Sequence, residues 1–135
     1  MQIRVPRHRH DVPENKVLVL GISPGFAGSR ANSKSVQRVN RWLAECGVAE
    51  TEYDWQNCSD QPGARPTSMS DIVKNRYEVA LYDKVICLGN VPARWCRSLS
   101  IEHIKVPHPS GVNRKWNDPT TEPETVEQIR NYLNS

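Results

Sequence analysis

Residues 17–25 read VLVLGISPG, and this stretch decides how the rest of the chain is interpreted. Its first four residues are a short, valine-rich apolar run that ends at a glycine, which is typical of a strand buried on both faces of a parallel sheet. The loop that follows, residues 21–28, contains three glycines and one proline. Because glycine lets the backbone approach a ligand closely, we expect a shaped ligand-binding loop here. The alternative is an ordinary strand-to-helix turn.

Strand and helix patterns alternate along the rest of the chain. Apolar runs at residues 84–88 and 101–106 predict two more buried strands, and alternating aromatic residues in 51–58 predict a further one. Helical spacing of apolar residues extends to about residues 45, 81, 99 and 133. We therefore expect an α/β fold, a three-layer sandwich with a small, mostly parallel central sheet of about four strands flanked by helices. The helical residues expected to face the core are Val36, Val39, Trp42, Leu43, Ile72, Val73, Tyr77, Ala80, Val126, Ile129 and Leu133.

Length and composition indicate one domain. The 135 residues suffice for one core but not two, so we assign residues 1–15 to a basic N-terminal arm and residues 16–135 to a single α/β domain. The arm either is solvated or contacts phosphates. The net charge of +3 is compatible with an anionic partner.

Several classes of protein are disfavoured by the sequence. It has no run of 18 apolar residues and no apolar leader, so we expect neither a membrane span nor a signal peptide. The four cysteines form no C-x-x-C pair, which disfavours zinc and iron–sulfur ligation, and His8 and His10 have no pattern of a third ligand. We expect a cytoplasmic monomer with reduced thiols, no metal and no cofactor. A nucleoid-associated or phage-encoded protein is the alternative.

A second loop with chemical potential follows the last predicted strand. Residues 106–114 read VPHPSGVNR, and the seven residues from His108 to Arg114 include an imidazole, a hydroxyl, a guanidinium and a glycine. Ligands of parallel α/β sheets bind beyond the carboxyl ends of the strands, and both loops are predicted at such ends. We therefore expect the two loops to meet across one end of the sheet and to clamp a nucleotide.

These two loops also carry a resemblance to a known family. The pair GISPG (21–25) and HPSGVNR (108–114) resembles the two signature motifs of the uracil-DNA glycosylase superfamily, and residues 87–90 (CLGN) resemble its third strand and turn. The resemblance covers most of residues 16–118 and is closest to the mismatch-specific uracil/thymine glycosylase branch. One departure is Ser23, which stands where that superfamily has Asn or Asp.

The resemblance implies a catalytic role for two residues. His108 would stabilise the leaving base as its O2 gains negative charge, and Ser23 would hold the water that attacks the sugar C1′. A serine is a poor base and cannot offset oxocarbenium charge as a carboxylate does. The alternative for His108 is a histidine that merely caps a turn.

The resemblance also implies how DNA would be held. Val112 would fill the space left by an extruded base, Arg114 would contact the opposite base or the backbone, and Asn57 would read the base edge. Phe26 would stack on the base, with Trp55 as a rival, although Val112 and Phe26 also suit plain packing roles. The full set of expected substrate-binding residues is Gly21, Ile22, Pro24, Gly25, Phe26, Asn57, Ser110, Gly111, Val112 and Arg114.

Three functions follow as hypotheses. The first is a monofunctional DNA glycosylase that hydrolyses the N-glycosidic bond of a flipped-out uracil-like, deaminated or modified base and leaves an abasic site. The second is a DNA or modified-base binding module that has lost hydrolysis, which Ser23 favours. The third is a base-modifying transferase that uses another acceptor in place of water. In each case the expected partner is DNA, single- or double-stranded.

Overall fold

A four-stranded parallel sheet forms the centre of the molecule. The computed structural model describes residues 13–21, 34–57, 76–109 and 114–135, with the backbone alone at 76, 77 and 114. Each neighbouring pair of strands is parallel and the order is β2-β1-β3-β4, so the carboxyl ends of all four share one edge of the sheet. The strands are β1 (Val17–Gly21), β2 (Tyr53–Asn57), β3 (Lys84–Leu88) and β4 (Ile104–Val106).

Helices cover both faces of this sheet, which confirms the expected three-layer α/β fold. Alternate residues of β1 pack on opposite faces of the sheet: Val19 belongs to one core cluster, and Leu18 and Leu20 belong to the other. This burial on both faces explains the continuous apolar run in the sequence. The helices in the described residues are α1 (Lys34–Glu45), α2 (Arg76–Val79), α3 (Asn90–Ser98) and α4 (Thr121–Leu133). A 3-10 turn at Glu50–Glu52 precedes β2, and another at Arg114–Asn117 precedes α4.

The two layers have distinct compositions. The first packs α1 and α4 on the sheet, and its buried residues are Val19, Val39, Trp42, Leu43, Tyr53, Ile86, Leu88, Val106, Val126, Ile129 and Tyr132. The second packs α3 and the end of α2 on the opposite face, and its buried residues are Leu18, Leu20, Val79, Val85, Cys87, Ala93, Trp95 and Cys96. The predicted inward residues of α1 are all buried, and Leu133 is partly buried against the first layer. No helix among the described residues is long and apolar enough to cross a membrane.

The last strand is shorter than the sequence predicts. Residues 101–106 were expected to form it, but β4 begins at Ile104. The amide of Ile101 donates to the Cys96 carbonyl at 2.9 Å, which closes the end of α3, and the Ile101 side chain packs on the second layer. The apolar run therefore passes from the second layer, where Ile101 packs, to the first layer, where Ile104 packs. Only its last three residues pair with β3.

The helix predicted to reach Leu81 ends at Val79, and this changes which residue is buried. Val79 is fully buried, whereas Ala80, expected to face the core, lies in the turn after the helix and is exposed. The start of this helix, the side chains of Ile72, Val73 and Tyr77, and residues 1–12 of the predicted arm lie outside the described residues.

Candidate active site

The carboxyl end of β1 is covered by side chains from its neighbour β2. Gly21 pairs with Asn57 in the parallel register. A Cβ atom on Gly21 would lie 2.7 Å from Asn57 Oδ1 and 3.4 Å from two atoms of the Trp55 indole. Because real Cβ atoms essentially never approach an atom as closely as 2.7 Å, the missing side chain at Gly21 is what allows Asn57 to lie over the strand end.

The orientation of the Asn57 amide is set by Trp55. The indole Nε1–H of Trp55 donates to Asn57 Oδ1 at 3.0 Å, and the Trp55 ring is partly buried against the first layer of the core. An amide rotated by half a turn would place its NH₂ group against this donor and lose the bond. Asn57 is thus a half-buried, oriented amide at the predicted edge of the sheet.

A matching arrangement lies at the ends of β3 and β4. The amide of Gly89, which follows β3, donates to the carbonyl of Val106 at the end of β4 at 2.9 Å. Gly89 has φ +89°, and a Cβ atom there would lie 3.5 Å from Cβ of His108. The His108 side chain therefore lies directly over the backbone of Gly89.

The electrostatic setting of His108 favours a neutral imidazole. The side chain is half-buried, and this burial lowers its pKa below the ordinary value, since removal from water disfavours the charged form. Near pH 7 the ring is therefore neutral, with one nitrogen that donates and one that accepts. Such a group can donate a hydrogen bond to an oxygen that becomes negatively charged during a reaction.

Two side chains from elsewhere in the fold hold the backbone around His108. Trp116 donates from its indole Nε1 to the His108 carbonyl at 3.0 Å, and Arg38 of α1 approaches the carbonyl of the buried Pro109 from Nη1 at 3.5 Å. The Trp116 ring contacts the Trp42 ring, with 5.4 Å between centroids, and lies 4.7 Å from the Arg38 guanidinium carbon. The loop that carries His108 is thus attached to the core through α1.

The sequence interpretation missed this support. Arg38 and Trp116 were not among the expected site residues, and only 22% of the Arg38 side chain is exposed. A signal existed, because Arg38 and Trp42 are four residues apart and therefore neighbours on one helix face. Trp116 has no local sequence pattern that predicts its contact with the His108 loop. It is half-buried and packs against the first core layer, to which α4 contributes.

The site as a whole has side chains from the outer strands and glycines at the ends of the central ones. Gly21 ends β1 and Gly89 follows β3, while Asn57 ends β2 and His108 lies two residues after β4. With neighbouring strands about 4.8 Å apart, the two outer strands are separated by roughly 14 Å. The backbone at the ends of the two central strands lies between the Asn57 amide and the His108 imidazole.

The structure places some of the predicted site residues and not others. It places Gly21 beside Asn57, and His108 at the same edge of the sheet. Arg114 begins the 3-10 turn Arg114–Asn117, but its side chain is not described. The predicted site residues that lie outside the described residues are Ile22, Ser23, Pro24, Gly25, Phe26, Ser110, Gly111 and Val112.

A family model described as the uracil DNA glycosylase superfamily matches residues 9–134, which is nearly the whole chain. No curated protein shows a significant match.

Proposed function

The chain belongs to the uracil DNA glycosylase superfamily, and from this premise we propose that it is a DNA glycosylase. Members of this superfamily are typically hydrolases that release uracil-like bases from DNA. The proposed reaction is hydrolysis of the N-glycosidic bond of a flipped-out uracil-like, deaminated or modified base, which leaves an abasic site.

The position of His108 is the observation that carries this proposal. It follows β4 at the edge where parallel sheets bind ligands, it is neutral near pH 7, and its backbone carbonyl is held by Trp116. As the glycosidic bond breaks, the departing base gains negative charge on its O2. An imidazole N–H directed at that oxygen stabilises the transition state more than the ground state, an effect of roughly 3–4 kcal/mol for comparable donors.

Asn57 supports recognition of the base edge. An amide donates and accepts hydrogen bonds together, as the edge of a pyrimidine requires. Trp55 holds the amide oxygen, so the amide presents a fixed arrangement of donor and acceptor rather than two interchangeable ones. A fixed arrangement is what discrimination between bases needs, because a wrong base leaves a polar group unpaired.

The remaining roles in the proposed reaction belong to loop residues that are identified from the sequence. An enzyme that acts on a base must extrude it from the stack, which costs a few kcal/mol. In the proposal Val112 fills the vacated space, Arg114 contacts the DNA, and Phe26 stacks on the base. Ser23 holds the attacking water by a hydrogen bond without acting as a strong base.

A base-release assay tests the proposal. Oligonucleotides with uracil, hypoxanthine, xanthine, hydroxymethyluracil or mismatched thymine would be incubated with the protein, and alkali would cleave any abasic site. We expect release from at least one substrate, slowed on the order of 10²–10³ by His108→Ala. His103→Ala is the matched control, since His103 is also half-buried but precedes β4 and contacts the Ile101 carbonyl. Equal rates for both variants would remove His108 from the mechanism.

A binding module without hydrolysis is the second candidate, and Ser23 is the observation that favours it. If the serine marks a weakened water-activating position, Ser23→Asn should raise uracil release above that of the unmodified chain. DNA binding without abasic sites in either protein would favour the binding module. Equal and measurable release in both would mean that the water is held elsewhere.

A further inference from the structure

The tryptophan that follows the His108 loop contacts the loop from the core side. Trp116 reaches back eight residues and donates its indole N–H to the carbonyl of His108 at 3.0 Å. The next residue, Pro109, is buried, and a proline restricts the residue before it to extended conformations. Together the proline and the hydrogen bond leave the peptide after His108 little freedom. Because this peptide plane includes the Cα atom of His108, the point from which the imidazole extends is held as well.

Trp116 is itself held by two residues of α1. Its ring packs against Trp42 of α1, and the Arg38 guanidinium lies over it with 4.7 Å to the ring centroid. Arg38 also faces Glu122 of α4, with 3.7 Å between Nε and Oε2. The indole is therefore held from α1, and the Arg38 guanidinium that lies over it also faces α4.

We propose that Trp116 is a positioning residue for base release: through the His108 carbonyl it directs the imidazole toward the leaving base, and Arg38 orients Trp116. This inference rests on the proposed glycosylase function. Trp116 touches neither base nor sugar in this scheme, so its removal should lower kcat and leave the affinity for DNA unchanged. The competing role, stacking of Trp116 on single-stranded DNA, would instead change the affinity.

The first test is kinetic. Trp116→Phe keeps an aromatic ring against Trp42 but removes the donor, and we expect kcat for base release to fall on the order of tenfold with KM unchanged. In a His108→Ala background the same substitution should cause no further loss, because the two residues act as one unit. A loss of equal size in that background, or a change confined to DNA affinity, would overturn the proposal.

Arg41→Gln is the matched control. Arg41 also pairs with Glu122, at 3.0 Å, but its side chain is 59% exposed. We expect its kcat to equal that of the unmodified protein. Arg38→Met, which keeps the aliphatic stem but loses the guanidinium, should slow release in the same direction as Trp116→Phe. It also serves as the second variant if Trp116→Phe does not fold.

The second test needs no activity. An NMR titration would follow the His108 imidazole, identified by its absence in the His108→Ala spectrum. We expect its pKa to lie below 6.5 in the unmodified protein and to move toward 6.5 in Trp116→Phe, but not in Arg41→Gln, since a loosened loop exposes the ring. If no base is released but the pKa moves, the glycosylase proposal fails and the positioning contact stands. An unmoved pKa in both Trp116→Phe and Arg38→Met would overturn the positioning role.

Discussion

Replacement of Gly21 by alanine tests the site with a single methyl group. Gly21 is not among the glycines with positive φ, so its backbone accepts an alanine without strain. The new Cβ would lie 2.7 Å from Asn57 Oδ1, whereas ordinary contacts begin near 3.4 Å. The amide must therefore retreat by about 0.7 Å, and its movement breaks or lengthens the 3.0 Å hydrogen bond from Trp55.

The magnitude of the effect differs between stability and activity. The far end of a side chain can move, so the cost in the free energy of unfolding is about 1 kcal/mol, close to the net contribution of one hydrogen bond. For activity, a displacement of about 1 Å in a group that positions substrate can cost on the order of 10² in rate. For about 0.7 Å we expect base release by Gly21→Ala to fall by on the order of tenfold or more.

Urea unfolding and the base-release assay would be run on Gly21→Ala and on Gly47→Ala. Gly47 has φ +84° after α1 and no atom within 4 Å of an added Cβ, so alanine there costs about 1–2 kcal/mol of backbone strain without contact with the site. The control should lose stability and keep its rate. An unchanged rate in Gly21→Ala, or an equal loss of rate in both variants, would refute the reasoning. In an Asn57→Ala background the added methyl should have little further effect, because the clashing atom is gone.

Three further predictions follow from the same edge of the sheet. Gly89→Ala should lower the free energy of unfolding by about 1–3 kcal/mol in urea, because φ +89° with ψ −170° is a region open essentially to glycine; a loss near zero would contradict that geometry. His108 has a lowered folded-state pKa, so the unfolded chain binds more protons below pH 6.5, and stability should fall as the pH drops from 6.5 toward that pKa. Unfolding curves should show a smaller decline in His108→Gln, and equal declines would refute the linkage. Arg114→Ala should reduce the slope of log K against log salt for DNA binding by about 1, and an unchanged slope would show that Arg114 touches no phosphate.

The fold was largely predictable because its central strands are buried on both faces. The segments around Val19 and Ile86 read as continuous apolar runs, and β3 has the predicted bounds. The fourth strand was predicted too long because Ile101 is as apolar as Ile104. The two side chains pack on opposite layers, and residue type alone does not tell them apart.

The site was predictable only where it depends on strand ends. Asn57 ends one strand and His108 closely follows another, and the carboxyl ends of parallel strands meet at one edge, so their placement follows from topology. The hydrogen bond from Trp116 to a backbone carbonyl leaves no local pattern in the sequence. The same holds for Arg38, which lies 71 residues from Pro109, its contact in the loop.

The glycines at the ends of the central strands lead to a prediction about which group controls recognition of the base and which controls the rate of its release. A side chain at Gly21 would displace the amide of Asn57, and a side chain at Gly89 would lie against the imidazole of His108. Each glycine therefore borders one functional group and not the other. If Asn57 reads the base and His108 stabilises its departure, alanine at Gly21 should chiefly alter the ratio of kcat/KM between substrates. Alanine at Gly89 should lower kcat for the pyrimidine substrates alike, because negative charge develops on O2 in each departing base, whereas the base edges differ.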